Sequence, residues 1–145
     1  MLPEFELLLP RSLPEALDAL AKYGSDVAPI AGGTNLIVDM RAERHCPPIV
    51  MDLSRVPELR GIRREGDFIV IGGGTTIAEL LRQPLIAAHA LPLKEAAAVF
   101  ANPLTRNRAT VGGNLADASP AADTAPPLLA VGAEVQLSST SGARW

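Results

Sequence analysis

Apolar residues at Leu13, Ala16, Leu17 and Leu20 recur at three- and four-residue spacing, the period that turns one helical face toward a core. Ser12 stands where a cap belongs, Glu15 can reach back to it, Pro14 fits a first turn and Gly24 supplies a stop, so a helix is predicted between them. Short apolar runs flank it. Residues 5–9, closed by Pro10, and Val27–Ile30 read as strands. After the loop "AGGTN", the stretch "LIVDMRAER" predicts a short helix and "PPIVMDL" a further strand, giving the order βαβαβ.

From Gly61 the pattern changes. "GIRRE", a turn at Gly66-Asp67 and "FIVIGG" predict an antiparallel hairpin. Thr76 with Glu79 forms a second capping signal, opening "IAELLRQ" before Pro84 stops it. A third helix is expected over about residues 94–101, ending near Asn102-Pro103. Residues 104–119 show no period and are rich in Gly, Asn, Thr and Arg, so they read as loop with a short element inside. "AADTAPPLLAVG" is expected to be helical after its double proline, and "AEVQLSS" to be a last strand. The class is therefore α+β with two lobes: a small βαβ lobe over residues 1–55 and a larger α+β lobe over 56–145.

Composition narrows the possible functions. With 48% hydrophobic and 20% charged residues the 145-residue chain is of globular type. Aromatics at 3% leave no row of stacking platforms for single-stranded nucleic acid, and a formal charge of -3 argues against a phosphate-backbone partner. Cys46, the only cysteine, excludes an internal disulfide and any cysteine-ligated iron–sulfur cluster or zinc site built within the chain. The start "MLPEFELLLPRSLPEAL" lacks the pattern of a signal peptide, and no window reaches the length of a membrane span, so a cytoplasmic location is expected. His45 and His89 have no partners at metal-ligand spacing, and neither a nucleophile elbow nor a paired-carboxylate arrangement is present. No catalytic side chain and no metal ligand is assigned.

Three glycine clusters remain: Gly32-Gly33, Gly72-Gly73-Gly74 and Gly112-Gly113. None completes a G-x-G-x-x-G fingerprint or a lysine-bearing phosphate loop. "AGGTN" and "TVGGN" nevertheless combine residues without side chains with Thr and Asn, so each fits either an ordinary turn or a backbone cradle for an anion. Together they suggest a lysine-free clamp for a pyrophosphate, whereas "IGGGTTI" reads as a structural turn between a strand and a capped helix. Asp123 suits either a hydroxyl acceptor for a sugar or polyol or an acid at a helix start. Arg106 and Arg108 read as a solvated basic corner, or as neutralising charge for a phosphate.

The stretches "PIAGGTNLIVDMR" and "ATVGGNLADASPAADTAPPLLAVGAEVQL" resemble the FAD-binding subunit of molybdenum hydroxylases, a family that includes the medium subunits of bacterial carbon monoxide, nicotinate and xanthine dehydrogenases. The likeness runs over almost the whole chain, from "FELLLPRSLPEALDAL" onward. It implies a two-lobed FAD-binding domain of the vanillyl-alcohol-oxidase (PCMH) type, here its N-terminal half, with the larger lobe incomplete.

Carried over residue by residue, the resemblance assigns FAD contacts to Pro29, Ile30, Ala31, Gly32, Gly33, Thr34, Asn35 and Leu36 in a first loop. It adds Ala101, then Thr110, Val111, Gly112, Gly113 and Asn114 in a second loop, and Asp123 beyond it. Backbone of Gly32 to Asn35 and of Gly112 to Asn114 is expected on the pyrophosphate. The implied partners are a large subunit with the molybdenum cofactor and a small subunit with 2Fe–2S clusters, with electrons passing through FAD to NAD or another acceptor. A cofactor-free scaffold fragment is the alternative, and a stand-alone flavin oxidase or reductase is a weaker third reading.

Overall fold

Three short parallel strands organise the first part of the chain: β1 (Glu6–Leu8), β2 (Val27–Ile30) and β3 (Ile49–Asp52), in the order β1-β3-β2. Leu7 pairs with Val50, and Ala28 pairs with the same Val50 from the other side. Ile49, Val50 and Met51 of the central strand are all buried, which is why this strand is an unbroken apolar run rather than an alternating one. The computed structural model describes residues Met1–Trp145. It divides into two units, one of Met1–Glu58 with Glu134–Trp145 and one of Leu59–Ala133.

Helix α1 (Leu13–Tyr23) connects β1 to β2, and α2 (Leu36–Arg41) connects β2 to β3. Ser12 Oγ accepts the Glu15 N–H at 3.3 Å, and Gly24, at φ +54°, ends α1 by donating its N–H to the Leu20 carbonyl. The Glu15 carboxylate accepts from Arg11 N–H at 2.7 Å rather than from Ser12, so the cap is anchored one residue earlier than the capping-box pattern predicts.

In the second unit β4 (Ile62–Glu65) and β5 (Phe68–Ile71) form the expected hairpin, with Gly66 at φ +60° in its two-residue turn. Six helices follow: α3 (Ile77–Arg82), α4 (Pro84–His89), α5 (Leu91–Val99), α6 (Pro103–Arg106), α7 (Val111–Asp117) and α8 (Ala125–Ala130). Ile77, Leu80, Ile86, Leu93, Ala97, Phe100, Ala109 and Val111 make one continuous core among them.

Four sequence expectations are corrected here. Pro84 does not only stop α3; Gln83 leaves the helix at ψ 120° and Pro84 begins α4, a position where the missing N–H is no loss. The third helix runs over Leu91–Val99, not 94–101, because Pro92 opens it early and Ala101 at φ +38° lies outside helical space. Residues 104–119 hold two helices, α6 and α7, rather than one short element in a loop. The last strand pairs with one more: β6 (Leu137–Ser139) and β7 (Gly142–Arg144) form a terminal hairpin.

Candidate functional site

The first glycine stretch leads from β2 into α2. Pro29 and Ile30 close the strand, Ala31, Gly32, Gly33 and Thr34 make a half-buried turn, Asn35 is exposed and Leu36 begins the helix. Gly33 sits at φ +72°, where a side chain is strained, and a Cβ there would lie 3.0 Å from Ile30 Cδ1 and 3.2 Å from Ile37 Cγ1. The helical ladder begins when Ile37 N–H donates to the Gly33 carbonyl at 3.2 Å, followed by Asp39 N–H to Asn35 O at 2.9 Å. The N–H groups of Thr34, Asn35 and Leu36 therefore precede the ladder and have no acceptor in it. Asn35 at the cap position makes no side-chain capping bond, so nothing from that residue covers them. This is the donor arrangement that suits an anion.

The second glycine stretch is built differently. Thr110, buried, caps α7: its Oγ1 accepts the Gly113 N–H at 3.1 Å and its carbonyl accepts the Asn114 N–H at 2.9 Å. Val111 N–H donates to Thr75 O at 3.0 Å, and Gly112 N–H to Gly73 O at 2.8 Å. An antiparallel bridge joins Thr76 to Thr110, so the starts of α3 and α7 are tied together. The N–H groups of Gly112, Gly113 and Asn114 each have an acceptor within the chain. A Cβ on Gly112 would lie 2.7 Å from Gly73 O, so this glycine permits backbone to meet backbone.

What this second patch presents is side-chain chemistry. Asn114 is half-buried, and its Oδ1 accepts both the N–H of Thr124, at 3.1 Å, and the Thr124 hydroxyl. With the oxygen turned toward Thr124, the Nδ2 amide hydrogens are the remaining donors of that side chain. Asp123, next to Thr124, is exposed, so Asn114 and Asp123 are brought together by this contact although nine residues separate them. Val111 belongs to the apolar core, and Gly113 is exposed.

Ala101 is exposed and held in left-handed space at φ +38°, rare for a residue with a Cβ. Its neighbours fix it from both sides. Arg106 Nη1 donates to Ala98 O at 3.1 Å and Phe100 O at 2.9 Å, while Asn102 Oδ1 accepts from Thr105 N–H at 2.9 Å. Arg106 is thus a brace on the end of α5 rather than a free basic corner. Sequence reasoning passed over Thr124 entirely, because a threonine ahead of two prolines carries no distinguishing local signal. Cys46, His45 and His89 are exposed.

Residues 3–145 match the family described as FAD binding domain in molybdopterin dehydrogenase. The chain is 39% identical over 142 residues to the carbon monoxide dehydrogenase medium chain of Hydrogenophaga pseudoflava, covering 98% of this chain and 50% of that one. It is 36% identical over 143 residues to the nicotinate dehydrogenase FAD-subunit of Eubacterium barkeri, covering 97% and 48%. Among solved structures, the Hydrogenophaga pseudoflava carbon monoxide dehydrogenase superposes with a TM-score of 0.93 at 38% identity, over 99% of this chain and 50% of that one. Quinoline 2-oxidoreductase from Pseudomonas putida 86 gives 0.86 at 28%, with the same coverage. The chain spans about half the length of the relatives it matches.

Proposed function

The chain belongs to the FAD-binding domain family of molybdopterin dehydrogenases, and from that premise we propose that it holds FAD as part of an electron-transferring medium subunit of a molybdenum hydroxylase. The first glycine turn fits the cofactor's pyrophosphate, since the amides of Thr34, Asn35 and Leu36 precede the α2 ladder and Gly33 supplies the left-handed turn that leads into them. That turn is the observation on which the reading chiefly rests. Asn114 contributes an amide donor and Asp123 a carboxylate acceptor for hydroxyl groups. Residues 1–55 and 56–145 are read as the two lobes of a PCMH-type fold; Pro29 to Leu36 are the proposed cofactor-binding residues of the first, and Ala101, Thr110 to Asn114 and Asp123 those of the second. Thr110, Val111 and Gly112 also hold α7 in place, through the Thr110 cap and the bonds to Thr75 and Gly73.

Bound there, FAD would supply one- and two-electron chemistry, as suits a proposed place between the 2Fe–2S clusters of a small subunit and NAD or another acceptor. The large molybdenum subunit determines the substrate. No helix is long and apolar enough to cross a membrane, and the cytoplasm is the proposed location.

Asn35→Asp tests the reading. A carboxylate at the start of α2 favours the helix by about 0.3–1 kcal/mol, so the thermal midpoint is expected to hold or rise. The same charge faces a bound pyrophosphate, so FAD affinity, followed by quenching of flavin fluorescence, is expected to fall at least about tenfold. Unchanged affinity in this variant would remove the pyrophosphate from this turn, and a wild-type chain that takes no FAD would leave the scaffold alternative.

A further inference from the structure

We propose that Thr124 is a positioning residue for FAD, a single buried hydroxyl that sets both Asn114 and Asp123. This rests on the reading that those two residues meet the cofactor. Thr124 is fully buried, so it cannot touch a ligand itself. Its hydroxyl and its N–H both donate to Asn114 Oδ1, ten residues earlier in the chain. Two donors on one oxygen fix which way the carboxamide faces: the oxygen is engaged inward and Nδ2 remains for a ligand.

The same residue anchors Asp123. On one side Ala122 is buried and its N–H donates to Ser119 O at 2.9 Å; on the other, Thr124 is locked to Asn114. The exposed carboxylate of Asp123 thus stands between two fixed backbone points. Removing the hydroxyl leaves Asn114 Oδ1 with the Thr124 N–H as its one remaining donor from that residue, so the amide and the segment bearing Asp123 are held less firmly, whereas removing only the methyl group leaves both contacts in place.

That difference separates positioning from packing. Thr124→Ser keeps the hydroxyl and loses the methyl; Thr124→Val keeps the shape and loses the hydroxyl. In FAD titrations of the full chain, Thr124→Ser is expected within about twofold of wild type and Thr124→Val about five- to tenfold weaker, the worth of one hydrogen bond. A packing role gives the reverse order. Equal weakening in both variants, or wild-type affinity in Thr124→Val, would overturn the proposal. Should Thr124→Val not fold, Asn114→Asp decides: it keeps an acceptor for Thr124 but replaces the Nδ2 donor, so weakened FAD binding at an unchanged thermal midpoint supports the proposal and unchanged binding overturns it. A wild-type chain without FAD affinity fails the FAD reading first, and this inference with it; a binding wild type with an indifferent Thr124→Val fails the inference alone.

Discussion

Two glycine pairs that look alike in the sequence do different work at single residues. Gly33 occupies φ +72° with the Ile30 and Ile37 side chains packed where a Cβ would point, while Gly112 lets its backbone lie against Gly73. Gly112→Ala is expected to destabilise the chain by about 1–3 kcal/mol in urea unfolding, because the new Cβ meets main chain that cannot rotate away. Gly113→Val is a poor probe of ligand binding, since its Cβ would lie 2.9 Å from Thr110 Oγ1 and dislodge the α7 cap. Asn35→Asp, which leaves the fold intact, is the better one. The presence of glycine was legible in the sequence; its reason was not, because the Gly73 backbone that Gly112 meets lies far away in the chain. Asp123 could be marked as a candidate from its type, but the Thr124 contact that fixes it could not.

Helices with chemical punctuation at both ends were readable, and those started by an exception to a rule were not. Ser12 and Gly24 delimit α1, and Thr76 with Glu79 opens α3, whose box is complete: Glu79 N–H to Thr76 Oγ1 at 3.1 Å and Thr76 N–H to Glu79 Oε2 at 2.7 Å. By contrast α4 begins on a proline taken for a stop, and α7 runs through two glycines of poor helix propensity that tertiary hydrogen bonds hold in place. Burial pushes the Glu79 carboxyl up, but the bonds from Thr76, with Arg60 and Arg82 nearby, outweigh it and bring it below its ordinary value. A carboxyl lowered on folding stabilises above its unfolded pKa and loses that contribution as pH falls through the folded value. Thermal midpoints of wild type and Glu79→Gln are therefore expected to converge as pH drops below about 4, the ordinary carboxylate range. A constant gap at all pH values would contradict the box. In α5, Leu93 is fully buried in the core, and Leu93→Ala is expected to cost about 2–5 kcal/mol in chemical denaturation.

At the scale of the molecule, the sequence order βαβαβ followed by a hairpin and helices matches what is observed, because the parallel strands and the hairpin carry distinct periodicities. The terminal hairpin was half missed, since Gly142-Ala-Arg144 has no alternation to mark it. The glycine motifs pointed to a cofactor-binding domain, and residues 3–145 match a family described as FAD binding domain in molybdopterin dehydrogenase. The most direct test is thermal unfolding of the chain against rising FAD concentration. Binding to the folded state alone raises stability by about 2.7 kcal/mol when FAD stands at a hundred times its dissociation constant, so the midpoint is expected to climb steadily with the logarithm of FAD concentration. A midpoint that stays flat into millimolar FAD would contradict the account.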